Sequence, residues 1–438
     1  MNRVEKNADT TVTSADSVNG KKNSVEASES EIRESFADLK VNDSSDQAHP
    51  VEYEPSTDPF KIFPQLIVDK IIKEFSADTI LKASLVNKVW YEAIGHSKVC
   101  MEKIKLKIYK FSNSDVAKAL KSKRDFQTIV FSCNPEHYVG FLKHFPNIKD
   151  LSISYDIENF DMELPNVKRL LVESQKIYKN GILSKLTKIP ELEWIAKDCL
   201  DKGFVDIMID YLRKNSDLKR LFIHDFNADN AVMEIIDEDY SKYKFKLDTF
   251  SYLLKAAILP HEEEVMINFL KSQAGSLTTV LYDSPVPDSI LVSLLKDLPK
   301  LTFLGLNTMW LNAPKLPKIR PNPNIKICQI FKPMPLKMQY LMPLMPNLEH
   351  LYLDNIQKRM DNVHMMELIM TLAPKSLKTI GYITGNHAEL NESFEKMKYA
   401  FGTFDDDYDC DKLKLVVIKA KGFLKSWKFD YSPQIFYG

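Results

Sequence analysis

Cysteine is scarce in this chain of 438 residues. The five present, Cys100, Cys133, Cys199, Cys328 and Cys410, lie far apart with no Cys-x-x-Cys pair. An odd, dispersed set argues against a disulfide framework and a thiolate metal site, and predicts a reducing compartment. Glycine is also sparse, at 12 residues, and neither GxxxxGK[ST] nor a strand-linked GxGxxG occurs, so no phosphate-cradling loop is expected. No His-Glu-x-x-His or paired His–Cys spacing is present to hold a metal. The acidic run Asp405–Asp411 looks superficially like a calcium loop. It has Cys410 where the turn needs Gly and Val416 where the last ligand would be Glu, so it reads as a solvated loop. No apolar run approaches the roughly eighteen residues of a membrane span, and MNRVEKNADTTVTSADSVNG at the start has no apolar core of a signal peptide. These absences predict a soluble protein of the cytoplasm, the nucleus or both, with no cofactor, metal or membrane partner. No nucleophile, base and oxyanion site gather anywhere, so the chain is not expected to be an enzyme.

What is present is ordinary globular material, 44% hydrophobic and 27% charged. The net charge of −1 hides an asymmetry. Residues 1–58 hold thirteen Asp/Glu and six Lys/Arg, a net of −7, which leaves +6 on the remainder. That acidic, aromatic-poor stretch is expected to be disordered, with Ile32, Phe36 and Leu39 spaced for a transient helix. The lysines of the body are scattered between apolar positions rather than clustered, which predicts no nucleic-acid partner. His224 and His350 are expected to be plain surface, and Glu262 and Glu263 to suit a helix start.

One stretch, residues 60–94, is unusually apolar. Phe63-Pro64 opens a helical pattern of Leu66, Ile67, Ile71, Ile72 and Phe75. Asp78 stands where an N-cap would start a second helix, which buries Ile80, Leu81, Ala83, Ser84, Leu85 and Val86 and ends in Lys88-Val89-Trp90. Helices this short cannot stabilise themselves by burial and must lean on a neighbour or a partner. The ordered Phe63-Pro64 start, the Ile71-Ile72 and Phe75 positions, and the Leu85-Val86-Asn87-Lys88-Val89-Trp90 end resemble the F-box. The departures are Phe63 for the usual Leu, Leu66 for an acidic residue and Ala77 for Pro.

From residue 100 onward a repeat is present. An apolar residue is followed by others at +3 and +5 in Ile148-Leu151-Ile153, Val167-Leu170-Val172, Leu218-Leu221-Ile223, Leu247-Phe250-Tyr252 and Leu277-Val280-Tyr282. The series continues through Leu301-Leu304-Leu306, Ile325-Cys328-Ile330, Leu348-Leu351-Leu353, Leu377-Ile380-Tyr382 and Leu413-Val416-Ile418, with Leu192-Ile195 as a partial unit. Met101-Ile104-Leu106 and Phe126-Ile129-Phe131 read as two weaker copies. The mean spacing from 148 to 413 is about 26.5 residues. This is the L-x-x-L-x-L pattern of leucine-rich repeats at their usual period. The +3 and +5 residues alternate as a short strand, and helical stretches such as 204–212, 265–270 and 290–295 lie between. The Pro-rich piece 314–323 is expected to be extended, and the Asn ladder common in such repeats is mostly absent, Asn307 being one exception.

Together these features predict an α/β chain: a disordered acidic tail (1–58), a small all-α F-box cluster (59–98), a leucine-rich-repeat solenoid with parallel strands on its concave face and helices outside (99–422), and a C-terminal segment (423–438). The order resembles F-box proteins of the leucine-rich class. That resemblance implies a substrate receptor of a Skp–cullin–F-box ubiquitin ligase, with the Skp-type adaptor as direct partner and cullin, a RING subunit and a target protein beyond it. The adaptor surface would comprise Phe63, Pro64, Leu66, Ile67, Ile71, Ile72, Phe75, Leu81, Leu85, Val86, Lys88 and Trp90. The +2 and +4 residues of each unit would face the concave side. There the aromatics Trp194, Phe222, Phe303 and Tyr352 with Arg169 and Arg220 are the residue types that dominate hot spots. A scaffold that holds the adaptor without delivering ubiquitin is the alternative.

Overall fold

The computed structural model describes residues 62–108, 120–121, 124–132, 138–173, 177–196, 202–225, 231–237, 240–254, 260–307, 319–331, 333–354, 368–369, 371–383 and 414–418. The acidic tail with its 32–39 helix, the 405–411 loop and the segment 423–438 fall outside them.

Four short helices come first: α1 (Gln65–Lys73), α2 (Ala77–Ala83), α3 (Lys88–His96) and α4 (Lys98–Lys103). The starts of α2, α3 and α4 are set by side-chain caps, while α1 begins after Pro64 with none. Ser76 Oγ accepts from Thr79 N at 3.2 Å, Asn87 Oδ1 from Trp90 N at 2.9 Å and Ser97 Oγ from Cys100 N at 3.3 Å. The cap of α2 is therefore Ser76 and not Asp78, which sits in the first turn, where its charge suits the helix dipole. The Lys88-Val89-Trp90 run opens α3 instead of closing α2. Ser84 Oγ bonds back to the Leu81 carbonyl at 2.7 Å and the chain turns before Asn87 recaps it.

Among the described residues thirteen strands follow, all parallel and hydrogen-bonded in sequence order, so that each pairs with its predecessor and successor. They are β1 (Lys105–Ile108), β2 (Thr128–Phe131), β3 (Asp150–Ile153), β4 (Arg169–Val172), β5 (Glu191–Ala196), β6 (Arg220–Asp225) and β7 (Thr249–Leu254). After these come β8 (Thr279–Pro285), β9 (Phe303–Asn307), β10 (Ile327–Phe331), β11 (His350–Asp354), β12 (Thr379–Ile383) and β13 (Lys414–Ile418). Sequential parallel pairing is the order that stacked repeat units produce. Between strands run α5 (Tyr138–Leu142), α6 (Lys202–Lys214), α7 (Ala231–Asp237), α8 (Pro260–Ser272), α9 (Asp288–Lys296) and α10 (Pro335–Leu341). Glu262 and Glu263 lie in the first turn of α8, and residues 319–323 form no helix.

The repeat positions make the core. The leading residues Ile148, Val167, Ile189, Leu218, Leu247, Leu277, Leu301, Ile325, Leu348 and Leu377, with the +3 and +5 residues of β3 to β11, are no more than 5% exposed. They share one cluster with the inner sides of α6, α8 and α9. Two units are framed differently from the sequence expectation. Leu106 pairs with Ile129 and Ile108 with Phe131, so the first unit lies two residues later than Met101-Ile104-Leu106. Leu192 pairs with Leu170 and Trp194 with Val172, so Leu192 occupies the +3 position and Ile189 leads the unit.

A ladder runs outside the strands. In the recurrent Pro-Asn lead-in, the Asn side chain donates from Nδ2 to the proline carbonyl of the preceding unit: Asn166 to Pro146 at 2.9 Å, Asn324 to Pro299 at 2.8 Å and Asn347 to Pro323 at 3.0 Å. Asn215 and Asn322, both buried, reach the Ile189 and Leu295 carbonyls at 3.0 and 3.1 Å. Asparagine thus does join successive units, at the turn before the strand.

Candidate functional site

The helical cluster has two apolar stripes. On α1, Val68 and Ile72 are buried and stand one turn apart, facing inward. Ile80 of α2, Ile94 of α3 and Cys100 and Met101 of α4 join them, with Phe75 and Trp90 packed partly buried alongside. Polar links hold the frame. Ser97 Oγ donates to Asp69 Oδ1 at 3.0 Å, and Lys103 Nζ donates to the Phe75 carbonyl at 2.7 Å and to the Lys73 carbonyl.

Among the described residues nothing covers the second stripe. Phe63, Leu66, Ile67, Ile71, Leu81, Leu85 and Val86 are between 38 and 68% exposed. Of the twelve large hydrophobic side chains exposed among the described residues, eight lie between Ile62 and Val86, so the exposure is concentrated in this cluster and is not the usual scatter. Leu81, Leu85 and Val86, expected to be buried by α2, belong to this surface. Pro64 stands at the N-cap position of α1 and is exposed, as is Lys88. Of the twelve residues named from the sequence, nine are on the surface. Ile72 is core, and Phe75 and Trp90 support from beneath. Val68–Ile72 on the inner stripe and Ile67–Ile71 on the outer one share the i, i+4 spacing, so the sequence pattern alone does not separate them.

The second place is the sheet face turned away from the helices. Arg169 sits there between two carboxylates, with Nε 2.8 Å from Glu191 Oε1 and Nη2 2.5 Å from Glu193 Oε2. Arg220 Nη2 meets Glu191 Oε2 at 3.0 Å, and His224 Nε2 lies 3.4 Å from Glu193 Oε1. His224 is therefore buried against a carboxylate and is not plain surface. Burial pushes Glu193 up, but His224 and Arg169 outweigh it and hold the carboxyl below the usual glutamate range. Burial likewise opposes the charge of Arg169, but the two glutamates raise it overall. His350 of β11 is half-buried, and burial lowers its imidazole.

The aromatics expected on this face divide. Trp194 is 1% exposed and stacks on Phe204 at 5.3 Å between centroids, inside the core. Glu191 and Glu193 hold the face positions of β5 in its place, because Pro190 follows the leading residue here where other units have Pro two residues before it. Phe222 and Phe303 do stand on the face, yet each is only 5% exposed. Phe303 packs with Leu281, Phe331 and Ile327 in a small apolar cluster of its own. Tyr352 is half-buried and lies against Gly381, where a Cβ would stand 2.3 Å from its ring. Arg220, at 48% side-chain exposure, is the most accessible of the six.

Among the described residues no group of three His, Cys, Asp or Glu could hold a metal ion, and no helix is long and apolar enough to cross a membrane. No family model matches the chain, and no curated protein matches it.

Proposed function

We propose that the chain is the substrate-recognition subunit of a Skp–cullin–F-box type ubiquitin ligase. In this reading α1 to α3 are the F-box, and the thirteen-stranded array is a leucine-rich-repeat solenoid that presents a target. The observation that carries it is the set of exposed apolar side chains Phe63, Leu66, Ile67, Ile71, Leu81, Leu85 and Val86, concentrated on helices whose inner faces are packed. Leaving such side chains in water forgoes roughly 1.5–3 kcal/mol each, which a partner would recover on docking. A helical cluster tied to the first strands, with a long sheet beyond, suits a receptor that holds an adaptor at one end and a target along the other. Catalysis is then positioning: a target held beside a charged conjugating enzyme reacts as a neighbour instead of a diffusing encounter. The chain contributes binding and no bond-making.

The test is capture of the full-length chain from cells in which ligase activity is blocked, read for a Skp-type adaptor, cullin and ubiquitinated target together. Recovery of all three supports the receptor. Adaptor without cullin makes the chain a scaffold, and no adaptor removes the F-box assignment.

A further inference from the structure

Lys149, Lys168 and Lys219, 19 and 51 residues apart in sequence, are brought into one row by stacking. In these units the residue just before the strand donates its backbone N–H to a carbonyl of the unit before. Lys149 reaches Gln127 at 2.8 Å, Lys168 reaches Lys149 at 2.7 Å and Lys219 reaches Pro190 at 2.8 Å, while Glu191 N reaches Lys168 at 3.1 Å. At about 4.8 Å per strand, Lys149, Lys168 and Lys219 lie on one rim within about 14 Å. In the β5 unit the matching position is Pro190, and the exposed Lys188 lies three residues before that strand, at the same end of the sheet.

The charge of this rim is available. Lys168, Lys188 and Lys219 are exposed, and no carboxylate bridges them among the described residues. Lys149 is half-exposed and meets Glu102 at 3.0 Å. The arginines one step inward are different, because Glu191 and Glu193 already take up Arg169 and Arg220.

We infer that the N-terminal rim of β3 to β6, through Lys149, Lys168, Lys188 and Lys219, binds an acidic segment of a partner protein. That the partner is a ubiquitination target rests on the function proposed above; the rim's preference for an acidic peptide does not. The row is short and one residue deep, with Asp150, Glu191 and Glu193 behind it and Asp217 and Asp248 beside it. An extended acidic segment of about four residues spans the ~14 Å from Lys149 to Lys219, whereas a longer nucleic-acid backbone would run on against Asp248, which holds the next position after Lys219.

The experiment uses the full chain and a fluorescein-labelled octaglutamate peptide, read by anisotropy. An octalysine peptide and a single-stranded DNA octamer serve as comparisons. The wild type should bind octaglutamate in preference to both. Lys168→Glu, Lys188→Glu and Lys219→Glu together should weaken it by about tenfold or more, as should raising the salt, because exposed charges are screened within about 10 Å at 0.1 M. The circular dichroism spectrum should stay the same. Unchanged peptide binding in the triple variant overturns the inference, and so does tighter binding of the DNA than of the peptide. Adaptor capture is measured on the same samples. Its failure with peptide binding intact removes the proposed receptor function alone, and the converse removes the rim alone.

Discussion

The Arg124 guanidinium donates from Nη2 to Ser84 Oγ at 3.0 Å, and its Cζ lies 4.5 Å from the Tyr91 ring centroid. Arg124 immediately precedes the second repeat unit, while Ser84 and Tyr91 belong to the helical cluster. One buried cation therefore ties the end of α2 and the face of α3 to the sheet. Arg124→Ala should cost about 1–3 kcal/mol, since it strips a buried hydroxyl of its charged donor and removes the contact over the ring. The loss should be local. Hydrogen exchange should quicken across residues 77–96 before it does in β5 to β11, and equal protection in both regions would contradict this coupling.

Gly305 lies in register between Leu281 and Gln329, and a Cβ built on it would stand 2.4 Å from Leu281 Cδ2 and 3.4 Å from Phe331 Cε2. The missing side chain is what lets Leu281, Phe303 and Phe331 close over the face. Gly305→Ala should destabilise the fold by about 1–3 kcal/mol through overpacking, measured as a lower denaturation midpoint in urea. A variant as stable as the wild type would mean that the cluster opens freely.

Glu193 supplies a pH dependence whose sign is fixed by its environment. Its carboxyl is held below the usual range in the folded chain, so the folded state binds its proton less readily than the unfolded state. The stability it contributes is present above the unfolded value, about 4.3, and is lost as the pH falls through the lower folded value. The stability difference between the wild type and Glu193→Gln should therefore shrink as the pH falls from about 5 to about 3. A difference that stays constant or widens over that range would contradict the assignment.

Much of this architecture is legible without coordinates, because a +3, +5 apolar pattern repeated at nearly constant period has few ways to bury itself. The misreadings come from punctuation. In the FPNI and LPNV units Pro stands two residues before the leading residue, but in Ile189-Pro190-Glu191-Leu192-Glu193-Trp194 it comes one residue after. Taking Leu192 as the leader turns Trp194 from core to face and hides Glu191 and Glu193. Because side chains alternate along a strand, an odd shift in frame exchanges the two faces. The Asn ladder was missed for a related reason. Its donors are Asn166, Asn324 and Asn347 of the Pro-Asn lead-ins, which are visible in the sequence but precede the strand, while Asn147 donates to Asp125 instead. The lysine rim is illegible without the stacking, since residues apart in sequence become neighbours only through register. Inner and outer stripes of α1 are both apolar and both carry an i, i+4 pair, Val68–Ile72 and Ile67–Ile71, so neither composition nor spacing separates them.

The most direct measurement is the affinity of the purified full-length chain for a purified Skp-type adaptor, by titration calorimetry. The wild type is compared with the triple variant Leu66→Ala, Ile67→Ala, Ile71→Ala and with the buried control Val68→Ala. The three outer residues are exposed in the free chain, so the triple variant should melt as the wild type does and bind at least about a hundredfold more weakly, each side chain being worth roughly 1.5–3 kcal/mol when buried. Val68→Ala should instead lower the melting temperature, because it opens a cavity in the core. An adaptor that binds the wild type and the triple variant equally, or binds neither, would contradict the docking surface and the function built on it.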